Sequence, residues 1–171
     1  MSVKLIDHMG TDLSVVNAAR VSFAKENKEF QVVDDSRLIR YLAKHNHWSP
    51  FGHASLQFHI TAPIFVARQL VKHQVGLVWN EVSRRYVDSE PEFHFVEEWR
   101  GSPDNKKQDS SDKVITIDYD IQKEYITECT NTYRYLLDKG VCPEQARMVL
   151  PQSMMTEWYW SGTLMAFARV C

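Results

Sequence analysis

An α+β fold, one small and mostly antiparallel sheet packed by several helices, is what this chain predicts. Three observations lead there. Short alternating stretches are interleaved with stretches at helical spacing instead of being grouped by type. The 171 residues suit a single core, with 44% hydrophobic and 12% aromatic residues to fill it. No internal repeat and no linker long enough to split domains interrupts the run, so residues 1–171 read as one domain.

The elements follow in order. Val3–Ile6 reads as a short strand that turns at Gly10. Asp12 suits the N-cap of a helix carrying Leu13, Val15, Val16, Ala18 and Ala19. Phe23 to Asp34 is charged and reads as a loop. A second helix starts at Asp35 or Ser36, turns Leu38, Ile39, Tyr41 and Leu42 inward, and dies out at Asn46. From His53 to Thr61, Leu56, Phe58 and Ile60 alternate with Ser55, Gln57 and His59, the period of a half-buried strand.

Pro63 suits a first helical position, because its missing N–H needs no partner there. Ile64, Phe65, Val66, Leu70 and Val71 continue it as an apolar stripe. Arg68, Gln69, Lys72, His73 and Gln74 share the segment, and Gly76 breaks it before the polar cluster Asn80, Glu81, Ser83, Arg84 and Arg85. Phe93–Val96 reads as extended and Gly101–Lys113 as an exposed loop. Residues from about 115 to 139 form the longest predicted helix, with Ile121, Tyr125, Cys129, Tyr133 and Leu136 on one face and Gly140 as its stop. A short helix runs from Pro143 through Arg147 and ends at Leu150-Pro151. Met154–Trp160 reads as a strand or an extended entry to a last helix, Thr163–Val170.

Composition narrows the function. A formal net charge of −2 and a pI near 6.4 give no basic field for nucleic acid or an anionic membrane. No apolar run reaches the length of a membrane span, and the N-terminus lacks a signal-peptide core. Cys129, Cys142 and Cys171 are odd in number and widely spaced, which suits reduced thiols in a cytoplasm.

Three constellations invite chemistry. His45, His47, His53 and His59 suggest a metal, yet no carboxylate or further His completes a familiar ligand set, which favours cap, turn and packing roles. Ser83 has His73 and Glu81 nearby, but the Gly-x-Ser-x-Gly elbow of a hydrolase is absent. The Asn80–Tyr86 cluster offers a hydroxyl, a carboxylate and forked cations suited to an anionic, hydrogen-bonding ligand. Its plain alternative is a solvated helix face with Glu81 and Arg85 paired at i, i+4.

Several of these segments together resemble one family. Ser49-Pro50-Phe51, His53, Ala62 through Gln69 and Asn80 through Tyr86 are similar to the flavin-dependent thymidylate synthases, and the likeness continues through Ala146–Pro151 and Thr156–Trp160. The resemblance implies bound FAD, NADPH as reductant, and methylenetetrahydrofolate as one-carbon donor for converting dUMP to dTMP in a cytoplasmic homotetramer with shared active sites. Nucleic acid, membrane and metal have no part in it. Carried over, the nucleotide falls to Gln69, Lys72, Glu81, Val82, Ser83, Arg84, Arg85 and Arg147, with Ser83 and Arg85 orienting it. No residue is assigned as catalytic in the strict sense. The flavin falls to Ser49, Lys72, His73, Gln74, Asn80, Glu81, Thr163 and Arg169, with His47 and His53 flanking the segment near it.

The chain also departs from the family. The signature Arg-His-Arg, seven residues, Ser stands here as Lys72-His73-Gln74, eight residues, Ser83. Gly52 replaces a usual Glu, and Met165 is apolar where a polar group is common. The sequence stops at Cys171, before the family's last Arg-bearing helix, and so reads as a shortened form. Two rivals follow: a relative that finishes as a hydroxymethylase, and a flavin- or nucleotide-binding remnant without turnover.

Overall fold

The computed structural model describes residues 1–103, 110–117 and 119–170. In chain order its elements are β1 (Ser2–Met9), α1 (Asp12–Arg20), α2 (Val32–Lys44), β2 (Ser55–Pro63), α3 (Ile64–Leu70), β3 (Leu77–Glu81), β4 (Trp99–Arg100), β5 (Val114–Ile115), α4 (Tyr119–Asp138), α5 (Pro143–Ala146), β6 (Met155–Thr163) and α6 (Leu164–Ala168). Short 3-10 turns cover Val21–Phe23, Ser49–His53 and Arg147–Val149. The architecture is α+β, and the chain forms two compact units.

The first unit comprises Met1–Ala62, Val66–Glu81 and Glu157–Cys171. Its sheet has the order β1-β2-β6-β3. β1 pairs antiparallel with β2, and β3 with β6. Between β2 and β6, Gln57 bonds Ser161 and His59 stacks on Tyr159, the spacing of antiparallel neighbours. Alternation then sorts the side chains. Phe58, Ile60, Ala62, Leu77, Trp79, Trp158 and Trp160 form one face, against which Val66, Ala67 and Leu70 of α3 and Phe167 and Val170 pack. Trp79 lies parallel to Trp158, with ring centroids 4.3 Å apart, and edge-on to Trp160 at 5.5 Å. Such pairs add about 0.5–1.5 kcal/mol beyond the area they bury. The opposite face is polar: His59 Nε2 stands 3.2 Å from Glu157, Lys4 is opposite His59, and Asn80 is opposite Tyr159.

Several boundaries differ from the sequence reading, among them Pro63, which ends β2 instead of opening the helix. Thr11, one residue ahead of Asp12, is the N-cap of α1, and its backbone N–H donates to Ser14 Oγ at 3.0 Å. α2 begins at Val32, three residues before Asp35. Val32 and Val33 are exposed, so no inward stripe announces that first turn. Asp35 is fully buried and accepts from the Gln31 N–H at 2.8 Å, from Arg20 at 2.7 Å and from Asn27 at 3.1 Å. Asn17 and Asn27 exchange two further bonds, which tie the 24–31 loop between the helices.

The second unit comprises Pro63–Phe65 and Val82–Thr156. α4 buries Ile126, Cys129 and Tyr133, and α5 buries Ala146. The long helix starts at Tyr119 instead of 115, because Val114 and Ile115 pair with Arg100 and Trp99. Of the stretch 93–96, Phe93 forms an isolated bridge to Met154, the His94 N–H donates to the Ser153 carbonyl at 2.9 Å and the Val96 N–H to Gln122 Oε1 at 3.2 Å. Gly101 is buried and its N–H donates to the Lys113 carbonyl, so the base of the expected 101–113 loop is closed by a ladder. Residues 104–109 of that loop lie outside the described residues. Gly140 takes φ +83°, the left-handed geometry of a helix stop.

Candidate functional site

In the first unit the candidate residues sit on an arm that leaves α3 and becomes β3. α3 ends at Leu70, and the chain then turns twice, with His73 N–H donating to Leu70 and Leu77 N–H to Gln74. Lys72, His73 and Gln74 are exposed, and their side chains make no hydrogen bond or ion pair among the described residues. Gly76, at φ +75°, closes the second turn. A Cβ there would stand 3.2 Å from Ala166 Cβ and 3.7 Å from Thr163 Oγ1. A Cβ on Gly162 would overlap the Gly76 carbonyl oxygen and Leu77. Two glycines therefore let the arm press on the β6–α6 corner, bringing the 72–76 turn beside Thr163.

The strand β3 was not expected from the sequence. It corrects the helical alternative, since Glu81 ends a strand and residues 84–86 form a turn, so i, i+4 pairing of Glu81 and Arg85 on a helix does not apply. Strand parity puts Asn80 and Glu81 on opposite faces. Asn80 joins the polar face with Tyr159, whereas Glu81 follows Trp79, whose indole N–H donates to Glu81 Oε2 at 3.1 Å. Thr163 Oγ1 accepts the Ala166 N–H at 3.1 Å as the N-cap of α6. Arg169 lies 6.0 Å over the Trp48 ring, next to Ser49. Gln69 is exposed on α3.

A cavity of about 650 Å³ opens on the same unit, lined among others by Arg20, Ser22, Lys25, Tyr41, His47 and Ser49. Of these only Ser49 and the flanking His47 were expected. Arg20 and Lys25 border a segment that reads as a charged loop, and nothing in their spacing distinguishes them from surface cations. Arg20 is held by Asp35, and its Nε is buried without a partner among the described residues. The Gln31 N–H, helped by Arg20 and Asn27 against the cost of burial, keeps the Asp35 carboxyl below the ordinary carboxylate range. Two cations, two hydroxyls, a phenol and an imidazole around one cavity fit an anionic, hydrogen-bonding group.

The second unit carries the other candidates. In the turn from Ser83 to Tyr86, the backbone N–H and Nε of Arg85 both approach Ser83 Oγ, at 3.4 and 3.3 Å. Arg85 also lies 5.0 Å over the Tyr86 ring. Arg84 donates to the Ser89 carbonyl. Val82 is exposed between strand and turn. Arg147 is exposed, and its Nε donates to the Glu144 carbonyl at 3.2 Å. Back in the first unit, His45 and His47 lie 4.4 and 6.1 Å from the Tyr41 ring, and His59 faces Glu157. Among the described residues no three His, Cys, Asp or Glu side chains gather as a metal would need, and no helix is long and apolar enough to cross a membrane.

The sequence pattern of the thymidylate synthase complementing protein family matches residues 4–171. The chain belongs to that family. A flavin-dependent thymidylate synthase of Thermus thermophilus is 42% identical over 163 residues, which cover 95% of this chain and 59% of the relative. One of Thermotoga neapolitana is 42% identical over 160 residues, covering 93% and 69%. The chain thus spans about three-fifths of the Thermus relative's length. Among solved structures, a UMP/dUMP methylase of Streptomyces cacaoi, bound with 5-Br dUMP, superposes with a TM-score of 0.81 at 32% identity, over 96% of this chain and 74% of that one.

Proposed function

We propose that this family member methylates dUMP to dTMP, with methylenetetrahydrofolate as carbon donor and NADPH-reduced FAD as hydride source. The observation that carries the reading is the 42% identity to a flavin-dependent thymidylate synthase across 95% of the chain, a span that takes in both polar segments.

The chain's own residues have roles their chemistry suits. Ser83 and Arg85 hold the nucleotide, the hydroxyl and forked guanidinium meeting phosphate oxygens. Arg147, Gln69 and Lys72 add donors, and Glu81 accepts from an N–H or hydroxyl of the ligand. Val82 and Arg84 shape the same segment. Ser83 positions and does not attack, because its oxygen is approached by two Arg85 donors and, among the described residues, no base is bonded to it. Lys72, His73, Gln74, Asn80, Ser49, Thr163 and Arg169 hold the flavin, joined by Arg20 and Lys25 at the cavity. When bound, the flavin supplies the hydride that completes the methyl group. Lys72 and Gln74 replace forked cations with a point charge and a neutral amide, so flavin binding is set by fewer charged hydrogen bonds than in the usual family pattern. The chains assemble as a homotetramer with shared sites in the cytoplasm, and the open polar face across Lys4, His59, Tyr159 and Asn80 is available for that contact.

The test is turnover. The FAD-loaded protein is given methylenetetrahydrofolate, NADPH and either dUMP or UMP, and the product is weighed by mass spectrometry. A gain of one methyl on dUMP supports the proposal. A hydroxymethyl product favours the hydroxymethylase, and no product in the absence of any other homologue favours a binding remnant. The Streptomyces neighbour favours a second reading in which UMP is methylated as well, and the UMP arm decides it.

A further inference from the structure

Glu81 is a charged side chain on the wrong side of its strand. Leu77, Trp79 and Glu81 share one face of β3, and that face carries the tryptophan core. Glu81 is nevertheless exposed at the end of the strand, and an exposed side chain keeps a fixed place only when partners hold it against its rotamer entropy. Trp79 supplies one, its Nε1–H donating to Glu81 Oε2 at 3.1 Å. Its ring is fixed in turn, parallel to the buried Trp158 with an interplanar angle of 18° and edge-on to Trp160. Among the described residues the indole N–H groups of Trp158 and Trp160 have no partner, so stacking and packing hold these two rings. A rigid two-layer support therefore fixes the direction of a single N–H, and that N–H aims at a carboxylate from the candidate site.

We propose that Trp79 is a positioning residue that fixes the Glu81 carboxylate for contact with an N–H or hydroxyl of the bound ligand. The inference deepens the proposed function and rests on it. A phenylalanine at position 79 keeps a stacked ring but removes the donor, and a glutamine at 81 removes the charged acceptor. A neighbour acting only through packing affects ligand binding independently of Glu81. A neighbour acting through the carboxylate loses its effect once the carboxylate is gone.

The experiment is a double-mutant cycle. Wild type, Trp79→Phe, Glu81→Gln and the double variant are titrated with FAD and then with dUMP, read by flavin absorbance. The indole N–H signals, five in wild type and Glu81→Gln and four where Trp79 is replaced, are recorded in ¹⁵N-correlated NMR spectra. Each single change weakens one of the two ligands about tenfold, the scale of a hydrogen bond to a charged group, and the double variant binds no worse than Glu81→Gln alone. One indole signal, absent in Trp79→Phe, also moves in Glu81→Gln. Additive losses in the cycle, or an indole spectrum indifferent to Glu81→Gln, overturn the positioning role while leaving the proposed function intact. A wild type that binds neither flavin nor dUMP overturns the proposed function and the positioning role with it.

Discussion

The two stretches that carry the candidate residues are built in opposite ways. From Lys72 to Glu81 the chain is clamped: glycines at 76 and 162 seat it on the β6–α6 corner, and Trp79 locks its strand to the core. From Val82 to Tyr86 it is a partly exposed turn, with Arg85 bonded to Ser83 Oγ and stacked on Tyr86, and the Tyr86 N–H donating to the Ser83 carbonyl. Arg147 likewise stands at the end of a four-residue helix, tied to a backbone carbonyl one turn away. The first stretch owes its geometry to packing and the second to local polar contacts. Changes in the first should therefore cost stability together with function, and changes in the second should cost function alone.

Trp158→Ala should break the clamped side most severely. The side chain is 1% exposed and supports Trp79, so its loss should cost about 4 kcal/mol and show as a large fall in the urea midpoint. Gly162→Ala comes next at roughly 3 kcal/mol, because the neighbour it meets is backbone and cannot swing aside. The Asp35 network gives a third, pH-dependent handle. A carboxyl whose folded pKa is lowered stabilises the fold above the ordinary carboxylate range and loses that contribution as pH falls through the range toward its folded value. Melting followed from pH 7 down to pH 3 should show this decline, and Asp35→Asn should lower the midpoint at pH 7 by roughly 5 °C and flatten the profile. On the exposed side, Arg85→Lys should leave stability within about 0.5 kcal/mol of wild type. It should nevertheless weaken dUMP binding about tenfold, since a point charge cannot replace the fork. A variant of Arg85 that unfolds the protein, or one of Gly162 that does not disturb it, would erase the contrast.

The same contrast explains what could be read from the sequence. β2 announced itself because Leu56, Phe58 and Ile60 alternate with polar residues, and α4 because of its helical spacing, although Ile121 and Tyr125 of the expected stripe are exposed and Ile126 is buried beside Cys129 and Tyr133. β3 did not. It is five residues long, and its inner row Leu77, Trp79, Glu81 ends on a charge, so the alternation disappears into the polar cluster. The register of the arm was equally hidden. The eight residues between Lys72-His73-Gln74 and Ser83 look like a defect in the signature, and in the structure they include a turn that Gly76 closes at a positive φ and the strand β3. Arg20 and Lys25 escaped for another reason. They line a cavity together with residues of α2 and the 47–50 segment, and Asp35 holds Arg20 there, contacts between residues distant in sequence that no local pattern records.

The measurement that tests this division most directly is a paired titration of His73→Ala and Arg85→Ala with FAD and dUMP beside the wild type. His73→Ala should weaken FAD binding about tenfold, whereas Arg85→Ala should leave FAD binding unchanged and weaken dUMP binding by at least as much. Equal loss of both ligands in both variants, or loss of neither, would contradict it.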